Sequence, residues 1–91
     1  MKARQIIAWN LRHLRVAKGL SQELLAADAG VDRAYFAKIE AQAVNVGVDV
    51  LDKLAVALNV PVCELFAAPP SNEPLPAPLA GGRKRKRPLA Q

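Results

Sequence analysis

Two cationic side chains, Arg33 and Lys38, offer the clearest chemistry in this sequence. In the segment that holds them, Phe36 and Ile39 stand three residues apart, which predicts a helix with one buried face. The outward face would then present Arg33, Ala34, Tyr35, Ala37 and Lys38. A guanidinium and an ammonium on an exposed helix can donate hydrogen bonds to base edges or to phosphate oxygens. These residue types therefore predict contact with a nucleic acid.

A second short helix and a tight corner precede this segment and would position it. Ser21 can cap the start of that helix through its hydroxyl, and Asp32 can cap the helix that follows. Gly30 stands where a helix needs a left-handed end. In the first of the two helices, Leu24, Leu25 and Ala29 recur at helical spacing and are predicted to form its buried face. Two short helices around a Gly-Val corner are the arrangement that lays a helix in the major groove of DNA.

Three further helices are predicted around this pair. They cover about Ala3–Lys18, which ends at Gly19, then about Gly47–Asn59 after a loop over 41–46, and Pro61–Phe66. The predicted buried positions of the first two of these helices are Ile7, Leu11, Leu14, Val50, Leu51, Leu54, Ala55 and Leu58. The apolar members of the last helix are Cys63, Leu65 and Phe66. No strand-like alternation of useful length occurs, so the sequence predicts an all-α fold.

Composition divides the chain into a helical domain over 1–66, a proline-rich linker over 67–82 and a basic tail over 83–91. Five of the seven prolines lie in the linker, and the linker and tail together carry +4 of the net charge of +5. The cations of the tail are Arg83, Lys84, Arg85, Lys86 and Arg87. We expect both segments to be extended or disordered, without a core. Within the domain the first 40 residues are net basic and the rest net acidic, which would orient the molecule on a polyanion.

Several function classes are disfavoured by what the sequence lacks. No apolar run is long enough to span a membrane and no signal peptide is visible, so a cytoplasmic location is predicted. Cys63 is the single cysteine and is expected to be a small buried side chain. No metal-ligand cluster or nucleophile–base pair is visible, so neither an enzyme nor a metal or cofactor site is expected. Trp9 and His13 are interpreted as partly buried side chains without a ligand.

A series of short motifs runs through the domain. They are Asn10-Leu11-Arg12, Leu14-Arg15, Lys18-Gly19-Leu20-Ser21-Gln22-Glu23, Leu25-Ala26, Gly30-Val31, Phe36, Ile39-Glu40, Leu51, Leu54-Ala55, Leu58 and Val60. In this order and spacing the chain from about Ile7 to Phe66 resembles the Cro/C1-repressor (XRE) family of helix-turn-helix transcriptional regulators. The resemblance implies a five-helix, lambda-repressor-like DNA-binding domain. It also implies a sequence-specific regulator that binds double-stranded DNA as a homodimer on a two-fold symmetric operator, and that occludes or contacts RNA polymerase.

The resemblance further implies roles for individual side chains. Arg33, Ala34 and Lys38 match base-reading positions, in which Arg33 can donate twice to guanine. Gln22 matches a position that hydrogen-bonds a DNA phosphate, where a helix N-terminus already favours an anion. The other matching side chains are Ser21, Tyr35 and Asn45 at the DNA backbone, and a structural ion pair of Arg15 with Glu40. For Tyr35, packing against a neighbouring helix is the alternative.

The loop after Glu40 departs from the family pattern. It contains no Lys or Arg where basic residues are common, Gln42 replaces a C-capping glycine, and Gly47 is a weaker N-cap than serine. The valines Val44, Val46 and Val48 add apolar surface there. We therefore expect the basic tail to act as a DNA-binding arm, with a solubilising or RNA-binding end as the alternative.

The uncharged, valine-rich loop leaves a second interpretation open. In it the helix-turn-helix fold serves as a protein-interaction module, such as an antitoxin, an antiactivator or an adaptor. A domain of this size is marginally stable alone, which favours self-association. Val60, Val62 and Phe66 either form an exposed apolar patch for that purpose or close the core.

Overall fold

Residues 2–69 fold into four α-helices and a short 3₁₀ helix. A computed structural model of the protein describes residues 2–69. The helices are α1 (Ala3–Ala17), α2 (Gln22–Ala29), α3 (Arg33–Glu40), α4 (Val48–Leu58) and the 3₁₀ helix η1 (Val62–Phe66). Residues 2–69 contain no strand, which confirms the all-α prediction, and the predicted fifth helix forms as 3₁₀ rather than α. Beyond residue 69, the predicted linker and the basic tail lie outside the described residues.

Each α-helix ends in the same kind of turn, which a residue in the left-handed region closes. The four residues, with φ between 59° and 71°, are Gly19, Gly30, Gln42 and Asn59. In each turn the N–H of the next residue donates back to a carbonyl five residues earlier, as Val31 does to Ala26 at 2.9 Å. Gly30 adopts this conformation at little steric cost because it has no Cβ. Its predicted role at the corner between α2 and α3 is confirmed.

Side-chain caps begin α2 and α3 as predicted. The Ser21 hydroxyl accepts a hydrogen bond from the Leu24 N–H at 3.0 Å, and the Asp32 carboxylate accepts one from the Tyr35 N–H at 3.0 Å. Each cap satisfies a backbone donor that has no partner inside its helix. Gly47 begins α4 with no side-chain cap. The two helices of the predicted pair are thus fixed at their first turns by their own flanking residues.

The core fixes α3 against the rest of the domain. α3 packs mainly against α1 and α2, while α4 packs against α2 and η1. From α3, Phe36 and Ile39 are buried as predicted. The full set of clustered core side chains is Ile7, Leu11, Leu25, Ala26, Phe36, Ile39, Leu51, Leu54, Ala55, Leu58 and Leu65. Because the inner face of α3 is enclosed, its opposite face is available to solvent.

The sequence pattern predicts the wrong environment for one apolar side chain of α2. Leu24 is 55% exposed, so the prediction that it is buried is wrong. Successive residues of an α-helix are turned by about 100°, and Leu25 and Ala26 occupy the side of α2 that faces the core. Ala29 is half-buried and packs at the edge of that core. The narrow buried face of this short helix therefore leaves Leu24 outside it.

The prediction of a buried Cys63 is also wrong, because this side chain is exposed. A 3₁₀ helix has three residues per turn, so Cys63 and Phe66 share one face. That face points outward: Phe66, for which an exposed patch and closure of the core were both left open, is 48% exposed, while Leu65 fills the core position.

On α1, both Trp9 and His13 were predicted to be partly buried, but His13 is exposed and Trp9 is buried. The two rings are stacked with their centroids 4.6 Å apart and their planes 12° from parallel. Stacked aromatic rings at this separation attract each other beyond the area they bury. His13 therefore lies on the surface and covers one face of the Trp9 indole ring.

A buried amide ties the end of the domain to its first helix. Asn10 of α1 is 6% exposed, and its Nδ2 donates to the carbonyl of Leu65 at 3.1 Å and to that of Ala67 at 2.9 Å. Both carbonyls lie at the end of η1 or just beyond it, where no helical donor is left for them. Asn10 thus holds η1 and the first residue after it against α1.

Candidate nucleic-acid interface

The outer face of α3 carries three of the predicted base-reading residues. Arg33, Ala34 and Lys38 are all exposed. Ala34 and Lys38 lie one turn apart on the same stripe of the helix, and Arg33 is its first residue. The face thus presents a guanidinium, a methyl group and an ammonium along about one and a half turns. Its length fits the three or four side chains with which one helix reads base edges.

Tyr35 lies at the side of this face. Its side chain is half-buried and packs against the core cluster, as the alternative interpretation of this residue proposed. Ala37, also predicted to face outward, is half-buried. The contact of Tyr35 with the DNA backbone stays a prediction.

The N-terminus of α2 brings a polar side chain close to the end of α3. Gln22 is half-buried, and its Nε2 donates to Oε1 of Glu40 at 2.9 Å. This bond uses one of the two amide N–H groups, since a carboxylate can only accept. The predicted contact of Gln22 with a DNA phosphate is thus compatible with a role in joining α2 to α3. Ser21, at the same helix end, is exposed while its hydroxyl caps the helix.

A fully buried carboxylate joins α1, α2 and α3. Glu40 is 0% exposed and accepts two hydrogen bonds from Arg15, at 2.7 Å from Nε and 3.0 Å from NH2. The predicted ion pair is confirmed, and its bidentate form is the stronger geometry for a guanidinium and a carboxylate. Arg15 also donates to the carbonyl of Leu20 at 2.9 Å, which ties the α1–α2 connection to the same point.

Arg12 is a second guanidinium at this carboxylate that sequence reasoning did not assign. Its Nε lies 3.4 Å from Oε1 of Glu40 and its NH2 lies 3.4 Å from the carbonyl oxygen of Glu40. The sequence feature that could have indicated this contact is the position of Arg12 three residues before Arg15, which places both side chains on one face of α1. Two guanidiniums and one carboxylate give these three side chains a net charge of +1.

The loop between α3 and α4 has inward and outward parts. Val44 and Val46 are half-buried and pack against the core cluster, whereas Asn45 is exposed. Val48, the first residue of α4, is 73% exposed. Two of the three valines that were expected to add apolar surface therefore face the domain's own core. Asn45 is available for contact with a phosphate, and this contact stays a prediction.

The described part of the chain offers neither a metal cluster nor a membrane-spanning helix. Residues 2–69 contain no group of three or more His, Cys, Asp or Glu side chains that could hold a metal ion. Among the same residues no helix is long and apolar enough to cross a membrane.

Comparison with known proteins places this geometry in a family. The helix-turn-helix sequence family matches residues 11–65. A hypothetical transcription factor of Neisseria meningitidis serogroup B is 39% identical over 66 residues, which are 72% of this chain. The chain spans 62% of the length of that relative. The control protein C.SmaI of Serratia marcescens is 40% identical over 66 residues, which cover 72% of this chain and 79% of C.SmaI.

A solved structure agrees with these sequence matches. The restriction-modification controller protein C.AhdI from Aeromonas hydrophila superimposes with a TM-score of 0.67 at 44% identity. The match covers 69% of this chain and 96% of C.AhdI. The matched residues hold α2, the corner at Gly30, and α3 with its charged face. The chain therefore belongs to the Cro/C1-type (XRE) helix-turn-helix family.

Proposed function

We propose that this protein is a sequence-specific DNA-binding regulator of transcription that inserts α3 into the major groove. The observation that carries the proposal is that α3 exposes Arg33, Ala34 and Lys38 to solvent while its Phe36 is fully buried. A helix fixed by its core side and charged on its free side can enter a groove without rearranging. The relatives named as a transcription factor and as control or controller proteins support this use of the fold.

Base reading is assigned to α3. Arg33 would donate two parallel hydrogen bonds to O6 and N7 of a guanine, and the methyl of Ala34 would contact a thymine methyl group. Lys38 would donate to a guanine or to a phosphate. These contacts choose the sequence, whereas phosphate contacts fix the position of the helix in the groove.

Contacts to the DNA backbone would come from both sides of α3. Gln22 and Ser21 lie at the N-terminus of α2, where backbone N–H groups favour an anion, and Asn45 is exposed in the following loop. Tyr35 would reach the backbone through its hydroxyl. Since residues 41–47 contain no cation, the cluster 83–87 is assigned as a basic arm that adds phosphate contacts.

The proposed DNA-bound form is a homodimer on a two-fold symmetric operator. α4 and η1 pack together and expose Val56, Val62 and Phe66, at 79%, 39% and 48%. A second copy would cover these side chains, which we name the apolar patch. Because α3 packs mainly against α1 and α2, a dimer through this patch would leave α3 free to enter the groove. Bound in this way, the protein would occlude or contact RNA polymerase.

The interaction-module interpretation rested on the valine-rich loop. Val44 and Val46 pack against the core, and only Val48 of the three is strongly exposed. The described loop therefore offers little apolar surface to a protein partner. For this reason we do not propose that interpretation as the function.

Selection of bound sequences from a randomised pool of DNA duplexes tests the proposal. A regulator of this kind enriches a two-fold symmetric site, and Arg33→Ala then weakens binding to that site by about 1–3 kcal/mol, or roughly 5- to 150-fold. The control is Lys53→Ala, which removes one exposed cation from α4 and should leave affinity close to that of the wild type. Failure to enrich any sequence, or equal binding by Arg33→Ala, would contradict the proposal.

A further inference from the structure

The two guanidiniums at Glu40 are held very differently. Arg15 makes short bonds to both carboxylate oxygens, and its side chain is 3% exposed. Arg12 makes two long contacts of 3.4 Å to Glu40, and its side chain is 11% exposed. The strength of a charged hydrogen bond falls as its length increases, so Arg15 supplies most of the compensation for the buried carboxylate. The buried carboxylate of Glu40 is therefore compensated more by Arg15 than by Arg12.

A shared oxygen places Arg12 beside Gln22. Both side chains donate to Oε1 of Glu40, at 3.4 Å from Arg12 and at 2.9 Å from Gln22. Gln22 is also the first residue of α2, where the backbone N–H groups of the first turn carry partial positive charge. A cation, an amide and a helix N-terminus therefore meet at one partly exposed point.

The loop after α3 has no cation, so a cation beside it can add a phosphate contact that the loop does not supply. No Lys or Arg occurs in residues 41–47, and Arg12 NH2 lies 3.4 Å from the carbonyl oxygen of Glu40, immediately before that loop. A cation placed there can serve the same stretch of DNA backbone as a basic loop would. It would do so from α1, outside the helix pair itself.

We propose that Arg12 binds a phosphate of the DNA backbone next to Gln22, with Glu40 as the positioning residue that holds both donors side by side. This inference rests on the proposed function, since it requires that α3 enters DNA. Arg12 supplies the charge, and Gln22 supplies its second amide N–H. Glu40 itself makes no contact with the phosphate because it is fully buried.

Salt titration of DNA binding by the full chain tests this assignment. The probe is a labelled mixed-sequence DNA duplex, because a phosphate contact requires no particular operator. Arg12→Met removes the charge and keeps most of the stem, and it should reduce the slope of log K against log salt by about 0.9 in magnitude. Arg12→Lys keeps the charge and should retain the wild-type slope, although it loses the planar geometry.

Lys53→Met is the matched control. It removes one cation from the exposed surface of α4, and its slope should equal that of the wild type. Circular dichroism establishes that each variant is folded at the temperature of the titration. If Arg12→Met fails to fold, Arg12→Gln takes its place, because a glutamine can still donate to Glu40.

Two results would overturn the assignment in distinguishable ways. A variant without the charge that melts earlier than the wild type but has its full salt slope would make Arg12 a structural partner of Glu40 only. If the wild-type protein binds no DNA at any salt concentration, the proposed function itself fails before Arg12 is considered.

Discussion

Gln42 is the one residue at the end of α3 whose backbone conformation conflicts with its type. Its φ of 64° lies in the left-handed region, where a Cβ collides with the backbone. The turn nevertheless forms, because the Gln42 N–H donates to the carbonyl of Ile39 and the Ala43 N–H to that of Lys38. The chain therefore accepts local strain at the point where the family pattern has glycine.

Gln42→Gly should stabilise the domain by about 1 kcal/mol. Glycine removes the steric cost of the left-handed conformation, and this gain exceeds the extra entropy that it gives to the unfolded chain. The free energy of unfolding in urea measures the effect. Ala43→Gly is the control: its φ is not positive, so glycine there should leave stability unchanged or lower it. A Gln42→Gly variant no more stable than the wild type would show that the turn carries no strain.

The residue roles that could be predicted from the sequence are those that depend only on bonds between near neighbours along the chain. The caps at Ser21 and Asp32 and the left-handed Gly30 need only neighbours along the chain, and all three form. The bond from Gln22 to Glu40 was not predicted, because it depends on how closely α2 approaches the end of α3. The pairing of Arg15 with Glu40 was available only through the family resemblance.

At the scale of elements, helix type and helix length limited the prediction. The sequence located all five helical segments, yet the last one is a 3₁₀ helix whose three-residue period turns Cys63 and Phe66 outward. In α2, two adjacent leucines both satisfied the apolar spacing, and only Leu25 faces the core. Very short helices provide too few positions to define their buried face from sequence alone.

Asn10→Ala should loosen η1 from α1. The substitution leaves the carbonyls of Leu65 and Ala67 without their donor, and a buried unsatisfied carbonyl costs about 1–3 kcal/mol. We expect a lower free energy of unfolding and faster amide hydrogen exchange in η1. Asn45→Ala, at an exposed loop position, should alter stability by less than about 0.5 kcal/mol. If the two variants were equally stable, Asn10 would not anchor η1 to α1.

At the scale of the whole molecule, charge is distributed unevenly. The first 40 residues hold α1, α2 and α3 and carry a net charge of +3, whereas residues 41–66 carry −2. The potential of such a molecule turns its basic end toward DNA during diffusional encounter. The proposed apolar patch lies on α4 and η1, in the acidic part, so self-association and DNA contact would use different parts of the surface.

Val56→Asp should convert the proposed dimer into a monomer. Val56 is 79% exposed, so the fold tolerates a carboxylate there, whereas a second copy covering it would have to desolvate that charge. Sedimentation equilibrium measures the loss of the dimer, with weaker operator binding as its consequence. Val48→Asp changes a similarly exposed valine (73%) at the other end of the same helix and should leave the dimer intact. A dimeric Val56→Asp protein would place the interface elsewhere.

Deletion of residues 80–91 tests the proposed basic arm. Five cations that each neutralise a phosphate would contribute roughly −4.5 to the slope of log K against log salt, so the deletion should flatten this dependence strongly. Sequence preference should remain largely intact, because the base-reading residues lie on α3. The comparison requires the same operator and salt range for both proteins. An unchanged slope of log K against log salt would contradict the assignment of residues 83–87 as a DNA-binding arm.

The carboxylate of Glu40 also bears on the kinetics of binding. Because one buried group joins α1, α2 and α3, these helices approach DNA as a preformed unit and do not have to be ordered upon contact. Association should then follow a single exponential whose rate constant rises linearly with DNA concentration, without the plateau of a slow conformational step. The lifetime of the complex, rather than the speed of its formation, would then distinguish operator from other DNA.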